Sequence, residues 1–319
     1  MLDSIRVSIG TAGVLGLAQV PMIVAPTTAY LMLGGRCTMN CAFCAQARHS
    51  DAGDDALSRV TWPAFPLHQV CARLHAAERQ NTLRRVCIQV TAGQEGYRRS
   101  LDAVRQIRKN TQLPIDAAVL PINVAQVEEL IDAGLDHIGF GLDAVCERVF
   151  RKTKGRRWRH RLDLIARATA QFPGHIAIHL IVGLGESERE VVERLAWAHA
   201  LGIKIGLFAF TPVRGTPLAD RSPPLLAQYR RMQAARWLIV QHEAQTDDFA
   251  FDKQGTLTGI HLDGWPALLI DGEAFRTSGC PDCNRPFYNE RPGGTMYNYA
   301  RPLHSAEGQQ AIHEMELRA

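Results

Sequence analysis

Three cysteines, Cys37, Cys41 and Cys44, stand at C-x3-C-x2-C spacing near the start of the chain. Thiolates are soft ligands that suit iron–sulfur clusters or zinc. Three close cysteines can hold three corners of a cubane cluster and leave its fourth iron open. An open coordination position is what a reactive metal site needs, whereas a structural site closes its shell. The competing reading of the same spacing is a structural zinc knuckle or three unrelated buried thiols. A second pair, Cys280-x2-Cys283, has metal-ligand spacing, but the chain's other C-x2-C pair, Cys41–Cys44, belongs to the three-cysteine motif, so no separate pair is left to complete a tetrahedral zinc site. Of the remaining cysteines, Cys87 lies in a strand-like run, and Cys71 sits in a helical stretch where it reads as a small buried hydrophobe.

The elements that must position these residues follow from hydrophobic periodicity. An apolar run, Ala29 to Leu33, predicts a strand immediately before the first cysteine. Further strands are predicted at Arg84–Val90, Leu113–Val119, His137–Phe140, His175–Val182 and Ile203–Phe210. Between and after them, helices are predicted at Pro63–Arg79, Tyr97–Lys109, Val124–Ala133, about 144–171 with a break near Gly155, Glu186–Leu201 and Leu225–Glu243. Strand–helix alternation of this kind requires parallel strands joined by right-handed crossovers. With no sign of a reversed half, the expectation is an α/β fold, a partial (β/α)6 barrel. Chemistry in such barrels sits at the C-terminal ends of the strands, and the cysteine loop follows the first strand. The expected organisation is an N-terminal cap over 1–28, the barrel over 29–245 and a cysteine-containing C-terminal extension over 246–319. In the extension, Thr256–Leu262 and Ala267–Leu269 read as strand-like and the last residues from Ser305 as a short helix.

Composition bounds the remaining choices. At 319 residues, with 46% hydrophobic and 21% charged residues, the chain is ordinary for one large α/β domain with an appendage. Eight cysteines are too sparse for a disulfide scaffold, and their clustering favours metal binding in a reducing compartment, so a cytoplasmic protein is expected. No charged residue occurs from Val7 to Gly35, but Pro21, Pro26 and several glycines interrupt the run, which reads as a buried cap rather than a membrane anchor. A formal net charge of +4 does not by itself argue for nucleic acid.

The C-x3-C-x2-C spacing, with Phe43 before the third cysteine, resembles that of the radical S-adenosylmethionine (SAM) enzymes. The resemblance implies a [4Fe–4S] cluster on Cys37, Cys41 and Cys44 whose fourth iron holds the amino and carboxylate groups of SAM, and reductive cleavage to a 5′-deoxyadenosyl radical. Phe43 is then a cofactor contact. Gly93-Gln94-Glu95, after the second strand, resembles the family's GGE segment, with Gln94 in place of the second glycine, and implies a site for the SAM amino group. Gly183-Leu184-Gly185-Glu186, after the fifth strand, resembles the segment that packs on adenine. Gly141-Leu142-Asp143 resembles the Asn-Leu-Asp segment of biotin synthase. Asp143 is thereby expected to hold a ribose hydroxyl or orient substrate, with a helix N-cap as the competing role. Gly215-Thr216-Pro217-Leu218-Ala219-Asp220 also looks like biotin synthase and its relatives, and the resemblance covers roughly residues 29 to 245.

In biotin synthase a cysteine of the second strand ligates an auxiliary cluster inside the barrel, which implies that role for Cys87. The family's two other barrel cysteines are missing: strand three has none, and strand five carries Ala177. The expectation is that the C-terminal segment folds over the barrel mouth. Cys280 and Cys283 would then join Cys87 on an auxiliary [4Fe–4S] cluster, with Cys146 the rival third ligand and Ser278 or Arg276 a weak fourth. The tail from Cys280 to Gly294 and the TMYNYARPL after it resemble the two-component lipoyl synthases. That resemblance implies sulfur insertion at C6 or C8 of an octanoyl chain on a carrier-protein lysine, with the auxiliary cluster as sulfur source. It also implies an octanoylated lipoyl carrier protein, a second radical SAM lipoyl synthase subunit and an electron donor such as ferredoxin or flavodoxin. Arg148–Arg161 contains eight Lys or Arg residues in fourteen; it reads as a solvated helical face, a dock for an acidic carrier or a nucleic-acid contact. The competing functions are a radical SAM enzyme without sulfur transfer, such as a mutase or metallocofactor maturase, and a non-catalytic iron–sulfur accessory subunit.

Overall fold

All six expected strands form, five of them within two residues of their expected ends, while the strand expected at His137–Phe140 runs three residues further. In the computed structural model, which describes residues 3–317, the chain begins with β1 (Ser4–Val7), α1 (Ile9–Val14) and β2 (Thr28–Leu33). Next come β3 (Ala56–Leu57), β4 (Val60–Thr61), β5 (Ala64–Pro66), α2 (Leu67–Arg79), β6 (Arg85–Val90), α3 (Gln94–Arg108), β7 (Ile115–Ala118) and α4 (Val124–Asp132). They are followed by β8 (His137–Asp143), α5 (Glu147–Thr153), α6 (Trp158–Gln171), β9 (Ile176–Val182), α7 (Glu188–Ala200), β10 (Lys204–Ala209) and α8 (Leu226–His242). The hairpin β11 (Phe249–Phe251) and β12 (Leu257–Ile260) and the terminal α9 (Ser305–His313) complete the chain. Ala267–Leu269, expected as strand-like, is one turn of 3-10 helix preceded by Pro266, whose fixed φ suits a helical start better than a sheet ladder.

The main sheet has the order β10-β9-β8-β7-β6-β2-β1-β5, and β2 and β6 to β10 are mutually parallel. Outward-facing residues at every second position, such as Leu31, Ile88, Ile138, Ile178 and Ile205, are buried under the helices. Inward positions are smaller or polar: Tyr30, Cys87, Asp116, Ala177 and Gly206. This alternation leaves a cavity where a filled barrel would have a core. The N-terminal residues are more than a cap. β1 pairs antiparallel with β2 and β5 with β1, so the start of the chain extends the sheet.

The barrel is open between β10 and β2, and the C-terminal segment seals this seam. β10 is an edge strand, and an edge strand leaves unpaired backbone groups. Ser278 Oγ accepts the Leu207 N–H at 2.9 Å, and Asn289 donates to the Ala209 carbonyl at 2.9 Å. On the other side Asn284 accepts the Thr27 N–H at 3.0 Å and donates to the Ala25 carbonyl at 2.9 Å. Gly279 backs onto β10 so closely that a Cβ there would lie 3.2 Å from the Gly206 Cα, and its φ of +117° is one that L side chains rarely adopt. Residues beyond 246 are anchored to the outer helices. Glu188 on α7 accepts from Arg231 on α8 at 2.8 and 2.5 Å and from the Leu257 N–H at 2.9 Å, while Arg231 also donates to the Met315 carbonyl at 2.9 Å.

Candidate metal and cofactor site

Cys37, Cys41 and Cys44 lie in the loop that leaves the C-terminal end of β2. Its shape comes from backbone bonds to neighbouring loops. Cys37 N–H donates to the Gln46 carbonyl at 2.9 Å, Ala42 N–H to Thr153 at 2.8 Å, and Leu218 N–H to Ala42 at 3.1 Å. Gly215, in the GTPLAD piece, has a φ of +84° and packs so tightly that a Cβ would lie 2.6 Å from the Ala52 nitrogen. That piece is therefore a buttress of the cysteine loop. The Cys37 sulfur accepts the Ala92 N–H at 3.2 Å and the Met39 N–H at 3.4 Å.

These three cysteines line one end of a cavity of about 300 Å³, and Cys87, Cys280 and Cys283 line the same cavity. Their positions follow from register. Tyr30, Cys87, Asp116 and His137 are successive partners across β2, β6, β7 and β8 and form one row inside the barrel. Cys280 and Cys283 reach that row through the seam. The expectation that the tail closes over the barrel mouth is thus corrected: it enters from the side, because the edge of β10 and the Ala25 and Thr27 backbone groups offer it partners there. Tyr30 accepts the Arg285 N–H at 2.9 Å and lies 3.3 Å from the Cys283 sulfur. The Arg285 guanidinium stacks 3.7 Å from the Phe208 ring centroid.

Burial governs the thiols. It raises Cys41, an effect that the nearby Lys154 ammonium partly offsets, and pushes Cys44 up to about 12, helped by the Cys41 charge. Burial also pushes Cys87 and Cys280 well up, with the Asp116 carboxylate adding to both. Without metal these four are thiols at neutral pH; a metal replaces their protons on binding. The donor set of three clustered soft sulfurs, with two N–H groups on one of them, fits a [4Fe–4S] cluster.

The other expected contacts are placed unequally. Phe43 and Asp143 line the cavity. Asp143 ends β8 at a register shift, with a φ of +63°, and Lys154 donates to both its carboxylate and the Gly141 carbonyl. Burial pulls Lys154 down, but Asp143 and Cys41 together hold it above its ordinary value. Asp143 is therefore an ion-pair partner rather than a helix cap. Gly93 has a φ of +142° and faces Thr38 of the cysteine loop, whose methyl would lie 3.1 Å from an added Cβ. Gln94 and Glu95 do not reach the cavity wall: they begin α3 on its exposed side, and Glu95 pairs with Arg99 at 2.6 Å. The backbone of Ala92 touches the cysteine loop in their place. Gly183 and Gly185, with φ of +106° and +114°, shape the turn after β9, and Glu186 accepts the Gly183 N–H at 2.5 Å. None of these three lines the cavity, and the second carboxylate oxygen of Glu186 is buried without a partner.

Cys71 is 4% exposed in the core, as expected, and Cys146 precedes α5 outside the cavity, which removes it as a rival ligand. Arg276 is spent on Glu273 at 2.6 Å and Ser278 on Leu207. Lys154, Tyr30, Arg285 and His179 are cavity residues that sequence reasoning missed. Only Lys154 had a signal, as one basic residue at a helix end among many.

A profile of the Radical SAM superfamily matches residues 31–198, just over half of the chain. Among curated proteins, the biotin synthase of Synechococcus sp. (strain JA-3-3Ab) is 31% identical over 219 residues, covering 64% of this chain and 66% of its own length. The biotin synthase of Desulforudis audaxviator (strain MP104C) is 27% identical over 256 residues, covering 77% and 74%. Among solved structures, the FeFe-hydrogenase maturase HydG from Carboxydothermus hydrogenoformans superposes with a TM-score of 0.53 at 16% identity, over 67% of this chain and 51% of that one; this is a likeness of fold. The three-cysteine loop at the end of the first parallel strand and the family match agree: the chain belongs to the radical SAM superfamily, in its biotin-synthase-like branch.

Proposed function

We propose that this protein is a sulfur-inserting radical SAM transferase of lipoyl synthase type, acting at C6 or C8 of an octanoyl chain carried on a protein lysine. The observation that carries this reading is the shared cavity: Cys87, Cys280 and Cys283 line the same space as Cys37, Cys41 and Cys44. When bound, a SAM-liganded cluster supplies hydrogen abstraction, and an auxiliary cluster on the second trio supplies sulfide. The chain's own residues hold the two groups on one cavity and exclude competing reactions. Phe43 and Asp143 line that cavity.

Two further features support a long apolar substrate on a protein. A groove lined by Pro21, Met22, Ile23, Val24 and Phe287 shares Tyr30, Trp62, Arg285 and Tyr288 with the central cavity, and so offers an apolar path to it. The basic stretch contributes six exposed cations, Arg148, Arg151, Lys152, Arg156, Arg157 and Arg159, near the C-terminal ends of the strands, with Arg148 paired to Glu190 at 2.8 Å. Lys154 and Arg161 point inward, so the surface patch is smaller than the eight basic residues of the stretch. A carrier domain with an acidic face matches it. A second radical SAM subunit and a ferredoxin or flavodoxin complete the proposed system.

The test is anaerobic turnover of an octanoyl-lysyl peptide with SAM and a reductant, read by 5′-deoxyadenosine and by mass analysis for added sulfur. Deoxyadenosine with sulfur-bearing peptide is expected. Deoxyadenosine with a desaturated or rearranged product would favour the reading without sulfur transfer. Iron analysis gives an independent check, since two four-iron clusters require about eight irons per chain. Loss of no iron in Cys280→Ala and Cys283→Ala would sink the auxiliary cluster.

A further inference from the structure

Resting on the reading that Cys87, Cys280 and Cys283 hold an auxiliary cluster, we propose that the Asp116 carboxylate is its fourth protein ligand, binding through Oδ2 the iron that three thiolates leave open. Asp116 is 3% exposed. Its Oδ1 is fully used: Arg85 Nη1 and His137 Nδ1 each lie 2.8 Å from it. Its Oδ2 is buried and has no hydrogen-bond partner. A buried carboxylate oxygen left bare costs stability, so native structures supply such an atom with a donor or a metal. Two of the three cysteines neighbour Asp116. Cys87 is the register partner of Asp116 on the neighbouring strand. A carboxylate oxygen of Asp116, a ring nitrogen of His137 and the Cys280 sulfur all lie within 4.8 Å of one another.

The surrounding charges select an anionic cluster over a single divalent ion on that trio. Arg85 sits on Asp116 and within 3.4 Å of His137 Nδ1, and it also donates to the Pro281 carbonyl at 3.0 Å. Lys204 meets the other ring nitrogen of His137. Two fixed cations oppose a bare dication but offset a cluster carrying four anionic ligands. His137 has both nitrogens engaged and serves as a positioning residue that orients Asp116. The rivals for the fourth place are weaker. The Ser278 hydroxyl is committed to β10 and Arg276 to Glu273. Arg285 has a buried Nε without a partner, yet it is a cation stacked on Phe208, and a guanidinium must lose a proton before it can ligate.

The test uses the full chain carrying Cys37→Ala, Cys41→Ala and Cys44→Ala, so that any cluster formed on reconstitution is the auxiliary one. Iron and sulfide content, Mössbauer spectra and the electron paramagnetic resonance of the reduced protein are read for this parent and for Asp116→Asn and Asp116→Cys. The parent is expected to hold about four irons, one of them with an oxygen-ligated Mössbauer signature. Asp116→Asn should lose that signature and fall to about three irons, a loss of the one iron without a thiolate. Asp116→Cys should keep the fourth iron with an all-sulfur signature. If Asp116→Asn misfolds by circular dichroism, Asp116→Cys alone decides, since a retained oxygen-type signature there means another ligand. Parent-like spectra in Asp116→Asn overturn the ligand assignment and leave the auxiliary cluster standing. A parent that binds no iron–sulfur cluster, or one metal ion that needs His137, overturns both.

Discussion

The Tyr30 hydroxyl lies 3.3 Å from the Cys283 sulfur, across 253 positions of sequence. Because the same oxygen accepts the Arg285 N–H at 2.9 Å, its own proton is free to point at the sulfur. Burial, followed by the Cys283 charge, holds the phenol well above its ordinary range, so it stays a donor. Tyr30→Phe removes that donor with little change of volume. Iron on the Cys87–Cys280–Cys283 side should then be lost to a chelator about 10-fold faster, the usual scale for an outer-shell partner of a metal ligand. Timed chelation of the reconstituted protein lacking Cys37, Cys41 and Cys44 measures this. An unchanged rate means the hydroxyl serves only the Arg285 backbone.

Lys154 and Asp143 form a buried pair, with side chains 7% and 15% exposed. Breaking such a pair leaves an uncompensated charge and costs roughly 3–5 kcal/mol. Lys154→Met should therefore destabilise the metal-free chain by that order in denaturant titration. Adding Asp143→Asn should restore most of the loss. If the double variant is no more stable than Lys154→Met, the pair is not the source.

His179 packs edge-on against Phe208 with ring centroids 5.2 Å apart. Burial, with the Arg285 and Lys154 cations, lowers it from 6.5 to about 4. The native ring therefore stays neutral where the unfolded chain takes up a proton. Stability is full above about pH 6.5, falls as pH drops from there, and the loss saturates near pH 4. Urea midpoints of the metal-free chain between pH 7 and 4.5 should decline more steeply than those of His179→Gln. Parallel declines would mean other groups set the slope.

The basic surface makes a salt-dependent prediction. Arg151, Lys152, Arg156 and Arg157 are exposed, and their charges are screened over about 10 Å at 0.1 M salt. Replacing all four by Gln should weaken binding of an acidic lipoyl carrier about 10-fold or more at low ionic strength, mainly through slower association, and much less at 0.5 M salt. Equal affinity at low salt in calorimetry would place the carrier elsewhere.

Most of the barrel was legible because its signals are local. Strands such as Ile176–Val182, buried on the outer face, read as largely apolar runs, broken here only by His179, and the helices between them repeat their apolar residues at helical spacing. Cys37, Cys41 and Cys44 act within one loop, so their spacing alone carried the chemistry. Cys87, Cys280 and Cys283 were partly legible by residue type, but their sharing of one cavity was not.

Cys87 and Cys280 line one cavity because the edge of β10 and the residues leading into β2 hold the tail in the seam, a contact between segments far apart in the chain. The same holds for Asp116, an ordinary strand residue until the register sets it beside Cys87 and leaves one oxygen without a partner. The break between α5 and α6 also divided the basic stretch, leaving Arg151, Lys152, Arg156 and Arg157 exposed while Lys154 and Arg161 are turned inward, which a count of charges does not reveal. Local spacing determined the fold class and the first cysteine site. Long-range packing, which depends on edges, seams and desolvation, decided which buried groups share the cavity.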